Sequence, residues 1–212
     1  GERLERVEGK VQEMFAHDRR EFDLAMGALV GDTGAASVNT DLRTADQKVN
    51  ELQREIRREL VVHVSVHGSF DTPAVLVYMS VVKDIERIGD YAKNLLDLAR
   101  DGANFGAAPD LATWRELTGE IGQLIDQAAG AFRARDTEAS RRVIARCGEL
   151  MPSFDRRVSA LVRGEDAGEQ AVARALAYSY LNRVVAHLTN ALSAVVMPVD
   201  KLDYFDEDPE DR

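Results

Sequence analysis

Hydrophobic positions in this chain recur at three- and four-residue steps in six stretches, which predicts six amphipathic helices. Leu4, Val7, Val11, Met14, Phe15, Phe22, Met26 and Leu29 mark the first helix over residues 2–30, and Gly31-Asp32-Thr33-Gly34 stops it. Thr40 or Asp41 is the expected cap of the second, whose stripe is Leu42, Val49, Leu52, Ile56, Leu60 and Val64. His67-Gly68-Ser69 breaks that helix. Asp71 or Thr72 then caps a third, with Pro73 in its first turn, and this helix runs to about Arg100. Residues 101–109 read as a linker by composition.

The pattern then begins again. Leu111, Trp114, Leu117, Ile121, Leu124, Ile125, Ala128 and Phe132 form a fourth stripe. Asp136 or Thr137 caps a fifth helix holding Val143, Ile144, Leu150, Phe154, Val158 and Leu161, and Pro152 is expected to kink it. After a break at Arg163-Gly164-Glu165-Asp166, the sixth helix carries Val172, Leu176, Tyr180, Leu181, Val184, Val185, Leu188, Leu192 and Val195 and ends near Pro198. Period-two runs are short, Val62–Val66 being the main exception. The fold class is therefore all-α, two tandem three-helix bundles: residues 1–101, residues 110–200, and an acidic tail over 201–212. A sequence echo supports duplication. Ile85–Asn94 can be set against Leu181–Asn190, with Arg, a branched apolar residue and the closing Asn at equal spacing.

The third helix holds the densest chemistry. Val82, Ile85, Gly89, Leu95 and Leu96 make its buried stripe, while Glu86, Asp90 and Asn94 stack four apart along one edge. Two carboxylates and an amide oxygen in a row, beside a glycine that admits another backbone, suit a hard or borderline cation. One helix supplies too few ligands to close such a site. A solvated face with Arg87 and Lys93 as ion-pair partners accounts for the same row.

Composition narrows the function classes. The 212 residues suffice for one large helical domain or two small halves, each able to bury a core, and 45% hydrophobic with 30% charged residues describes a folded protein. A net charge of −10 opposes nonspecific nucleic-acid binding. The single cysteine, Cys147, excludes an intramolecular disulfide and a Cys-rich zinc motif, and reads as an inert buried thiol. No apolar run reaches a membrane span, so a cytoplasmic location is the expectation. His63 and His67 are four apart but lack the Glu of a zinc-protease motif. Trp114 reads as a core anchor. Nucleotide-binding loops are missing, as are the Glu-x-x-His pairs that a carboxylate-bridged metal enzyme would place on a bundle. Leu202, Tyr204 and Phe205 among the tail carboxylates form a candidate docking segment for a basic surface.

Asp84-Ile85-Glu86-Arg87-Ile88-Gly89-Asp90-Tyr91-Ala92-Lys93-Asn94 resembles the signature of the PhoU family of phosphate-transport regulators. Asp46–Ile56 is similar to that family's preceding helix, and helix order, linker position and length agree over nearly the whole chain. The resemblance implies two three-helix repeats, each with a Glu/Asp-x-x-x-Asp motif on its last helix, where some members bind iron or zinc clusters. Glu86 and Asp90 take the motif positions here, with Asp46 and Asn50 on the facing helix as co-ligands, Glu55 further along, and Asn94 closing the row. The second repeat departs: Asn182 and Ala186 replace the motif acids, Cys147, Gly148 and Met151 stand near the facing positions, and His187 and Asn190 remain. Any bound Fe or Zn, or Mg or Ca, is thus expected in the first repeat only. The implied role is a non-enzymatic adaptor that binds a phosphate transporter ATPase, a sensor histidine kinase or both. It would reach the membrane through those partners and self-associate as a homo-oligomer. A metal enzyme, an accessory to another ion transporter and a metal-free scaffold stand as alternatives.

Overall fold

A computed structural model describes residues 2–165 and 168–202, with the side chains of residues 69 and 70 outside the description. Six helices account for nearly all of it: α1 (Glu2–Leu29), α2 (Ala35–His67), α3 (Thr72–Arg100), α4 (Leu111–Ala134), α5 (Thr137–Val162) and α6 (Ala171–Val196). The two short 3-10 turns are Gly68–Asp71 and Val199–Lys201. Among the described residues there is no strand, and the Val62–Val66 stretch is helical. The acidic tail expected to dock on a partner lies, from residue 203 on, outside the described residues.

Helix ends differ from the sequence reading where capping was the only guide. α2 begins at Ala35, behind an extended Gly34, and not at Thr40 or Asp41. Ser37 secures this turn by donating to the Gly34 carbonyl at 2.7 Å, and alanines carry the extra residues as good helix formers. Asp71 stands at the N-cap of α3, but its side chain makes no capping bond. The carboxylate instead takes the ring of buried His63 at 2.8 Å. Asp136 caps α5 as anticipated, accepting from the Ala139 N–H at 2.9 Å. α5 continues through Pro152 without interruption.

The stripes bury one continuous core. Val11, Met14, Phe15, Phe22, Val49, Ile56, Val82, Ile85 and Ile88 fill the first half, and Trp114, Ile121, Ile125, Phe154, Leu181, Val184 and Val185 the second. α3 packs along α6, and α1 touches α4, so the halves share a seam. At its centre His187 Nδ1 meets Asp84 Oδ1 at 2.9 Å, both residues buried. Arg19 of α1 reaches across to the Gly122 carbonyl and to Asp126 of α4.

The linker is also built into the core. Phe105 is fully buried, stacks on Trp114 at 4.5 Å, and donates its N–H to the Leu29 carbonyl at 2.7 Å. Trp114 stacks in turn on Tyr178 at 4.3 Å. The Gln170 amide binds both the N–H and the C=O of Asn104, at 2.8 and 3.0 Å. Gly106 permits this approach: a Cβ there would stand 2.9 Å from the Val30 carbonyl oxygen.

Candidate functional site: an acidic centre in the first repeat

The row predicted on α3 faces α2. Glu86 and Asp90 are partly buried, and Lys93, on the same helix, bridges Asp90 Oδ1 at 3.0 Å to Asp46 Oδ1 of α2 at 2.8 Å. Arg87 holds the outer side of Asp90 at 3.2 Å and lies 4.0 Å from Glu86. The structure thus gives Asp46, Glu86 and Asp90 ion-pair partners drawn from Arg87 and Lys93, the two cations that the solvated-face reading named. Asn50 is one turn from Asp46 and donates its amide to the Asp46 carbonyl at 3.0 Å. Asn94 lies one turn beyond Asp90 and is partly buried. Glu55 is drawn away to Lys10 at 2.7 Å.

Two further carboxylates lie behind this row, contributed by α1. Asp18 and Glu21 are fully buried, and none of their four side-chain oxygens has a hydrogen-bond partner. They lie over Gly89. A Cβ at that position would sit 2.9 Å from Asp18 Oδ1 and 3.3 Å from each Glu21 oxygen. Gly89 thus leaves room for both acids against α3, and any larger residue would press on their carboxylates. Burial, then the charges of Glu21, Glu86, Asp46 and Asp90, drive the Asp18 carboxyl far above the ordinary range. Burial first, then Asp46, pushes Glu21 up to about 9 in spite of Lys93. Glu86 is raised by burial, by the charge of Asp90 and by a hydrogen bond to it.

As the side chains stand, among the described residues no three His, Cys, Asp or Glu groups converge closely enough to hold a metal ion. The chemistry of the donors nonetheless suits a cation. All are hard oxygens, and two carboxylates lack any compensating donor, an arrangement that costs several kcal/mol when the groups are charged.

Among the described residues, the second repeat has no such centre. Buried positions of α1 and α4 correspond: Val11, Met14, Phe22, Ala25 and Leu29 fall on Trp114, Leu117, Ile125, Ala128 and Phe132. In that register Asp18 and Glu21 fall on Ile121 and Leu124, both buried. The stripes of α3 and α6 match likewise, which sets Gly89 on buried Val185, Glu86 on Asn182 and Asp90 on Ala186. Asn182 donates to Asp155 at 2.7 Å, and His187 is committed to Asp84. Cys147 is buried, with its thiol pushed up by that burial to about 12. His63 and His67 stack at 4.3 Å, with His63 on Asp71 and His67 on a backbone carbonyl.

These features define a class: a duplicated three-helix, all-α protein with an acidic motif kept in one repeat and erased in the other. Residues 11–99 match the family model described as the PhoU domain. The chain is thus similar to the PhoU domain over most of its first repeat. It is 25% identical over 199 residues to the "phosphate-specific transport system accessory protein PhoU homolog" of Synechocystis, covering 91% of this chain and 87% of that one. A PhoU homolog of Thermotoga maritima, also described as a phosphate-specific transport system accessory protein, is 35% identical over 52 residues, 24% of this chain and 22% of that one. The crystal structure of PhoU from Pseudomonas aeruginosa has the same fold, with a TM-score of 0.79 at 20% identity, covering 91% of this chain and 95% of that chain.

Proposed function

We propose that this chain is a regulatory accessory protein of phosphate uptake and phosphate-starvation signalling, acting by binding a phosphate transporter ATPase, a sensor histidine kinase or both. The observation that carries this reading is the PhoU-domain match over residues 11–99, which contains the Glu86–Asp90 motif. Such a regulator works by differential affinity for the states of its partners, so its chemistry is surface complementarity. Val61, Val62 and Val66 on the last turns of α2, the last of them 67% exposed, are apolar anchors available for such docking. No helix of the described residues is long and apolar enough to cross a membrane, so membrane association comes through partners. The same reading places a cation, Fe or Zn or else Mg or Ca, on Glu86, Asp90, Asp46 and Asn50, with Asn94 beside them.

The test is a pull-down from phosphate-replete and phosphate-starved cells, read by mass spectrometry. Recovery of a transporter ATPase or sensor kinase is expected, with V61D/V66D reducing it. Recovery of neither under both conditions would remove the adaptor role.

A further inference from the structure

The seam between the repeats carries a second cluster of charge, opposite in sign to the first. In the register that sets Glu86 on Asn182, Asp84 falls on Tyr180, Arg87 on Arg183 and Tyr91 on His187. Asp84 meets His187 at 2.9 Å, and Tyr91 lies against Tyr180 with ring centroids 6.0 Å apart. These contacts are images of each other, so α3 and α6 run in opposite directions about a local twofold. Arg87 and Arg183, one from each repeat, fall between the two contacts and with Lys83 line a pocket of about 460 Å³.

Three cations share this wall with one acid, Asp84, in a chain of net charge −10. Oδ1 of that acid is taken by His187. Among the described residues Lys83 and Arg183, both exposed, make no ion pair. Arg87 is also exposed, with Asp90 at 3.2 Å and Glu86 at 4.0 Å. Asn190 gives the pocket a second, independent feature. It is 5% exposed, lines the pocket, and its side chain makes no hydrogen bond among the described residues. A buried amide left so costs stability unless something in the pocket satisfies it. Partly buried Ser80 adds a hydroxyl to the same wall.

We propose that this pocket binds a tetrahedral oxyanion of the phosphate class. Arg87, Arg183 and Lys83 neutralise its charge, and the Asn190 amide and Ser80 hydroxyl donate to its oxygens. Guanidiniums brought to one pocket repel until an anion lies between them, and the planar fork of arginine suits two oxygens of one phosphoryl group. Three cations against one carboxylate leave a surplus of two charges, which a dianion balances and a single carboxylate does not. With one arginine from each repeat, the ion clamps the seam across the halves. The proposal goes beyond the adaptor reading and stands or falls apart from it.

Phosphorus NMR titration at fixed ionic strength, with inorganic phosphate and with glycerol 3-phosphate, tests this. Wild type is expected to bind at least one of them. Preference for inorganic phosphate identifies the free ion as the occupant, and equal or tighter binding of glycerol 3-phosphate identifies a phosphoryl group on a larger ligand; both support the site. Arg183→Gln and Lys83→Gln, at exposed positions, should each weaken binding about tenfold. Asn190→Ala should weaken it about fivefold, and Ser80→Ala, at a less buried position, carries the same test if Asn190→Ala does not fold. These neutral substitutions separate a built site from diffuse attraction by surface charge, which the arginine and lysine variants alone would also weaken. Wild-type affinity in both neutral variants, or in R183Q, would overturn the site, as would the failure of wild type to bind either probe.

Discussion

The two repeats of this chain solve the same packing problem with opposite chemistry. In the second, Val185, Ile121 and Leu124 are all buried apolar members of the core. In the first, the matching helix has Gly89, and the matching pair is Asp18 and Glu21. The comparison teaches that the acidic centre is not a requirement of the architecture. An apolar filling is available, is used elsewhere in the same molecule, and avoids the penalty of buried unpartnered carboxyls. Residues kept against stability in one copy and not in the other point to a task performed in that copy.

Exchanging the residues at the two centres probes the comparison most directly. Val185→Gly removes a fully buried side chain and adds a helical glycine, which should cost about 3 kcal/mol in denaturant unfolding. Gly89→Val should cost about 2 kcal/mol, because its Cβ would overlap Asp18, and D18I/E21L made with it should return most of that loss. A near-neutral Gly89→Val would show that the acids move aside freely and would undo the contrast between the repeats.

A smaller effect follows from Glu21. Its carboxyl is raised to about 9 in the fold, against an ordinary value of 4.5, so the folded chain holds a proton that the unfolded chain has released between those values. This stabilisation is fully present below about pH 4.5 and is lost as pH rises through about 9, with a slope of up to about 1.4 kcal/mol per pH unit. Chemical unfolding at pH 6, 7 and 8 in chelator should show wild type falling more steeply than E21L. Equal slopes would mean that Glu21 is as charged in the fold as out of it.

Much of the fold could be read from periodicity, and the α3 motif announced itself by three polar residues four apart. Asp46 was named only through the family resemblance, and the structure sets it beside Asp90 on a shared Lys93. Asp18 and Glu21 escaped for a physical reason. A helix stripe is sought in its apolar members, and Phe15 and Phe22 are enough to draw it; acids between them look like the edge of the polar face. Their spacing did hold the signal, since Phe15, Asp18 and Phe22 fall three and four apart on one face. The Asp84–His187 contact was illegible because its members lie 103 residues apart and meet only once the halves pack. The early start of α2 was missed because residues 35–41 carry just one buried position, Val38, to mark the stripe.

Phe105 changes what the duplication means mechanically. A sealed residue in the connecting segment, stacked on Trp114 and bonded to the end of α1, leaves no slack between the copies. With the α3–α6 seam beside it, a torque applied to one triplet of helices is carried into the other. The copy that lost its acids can then serve as a handle: a grip on α4, α5 and α6 orients the acidic centre without touching it.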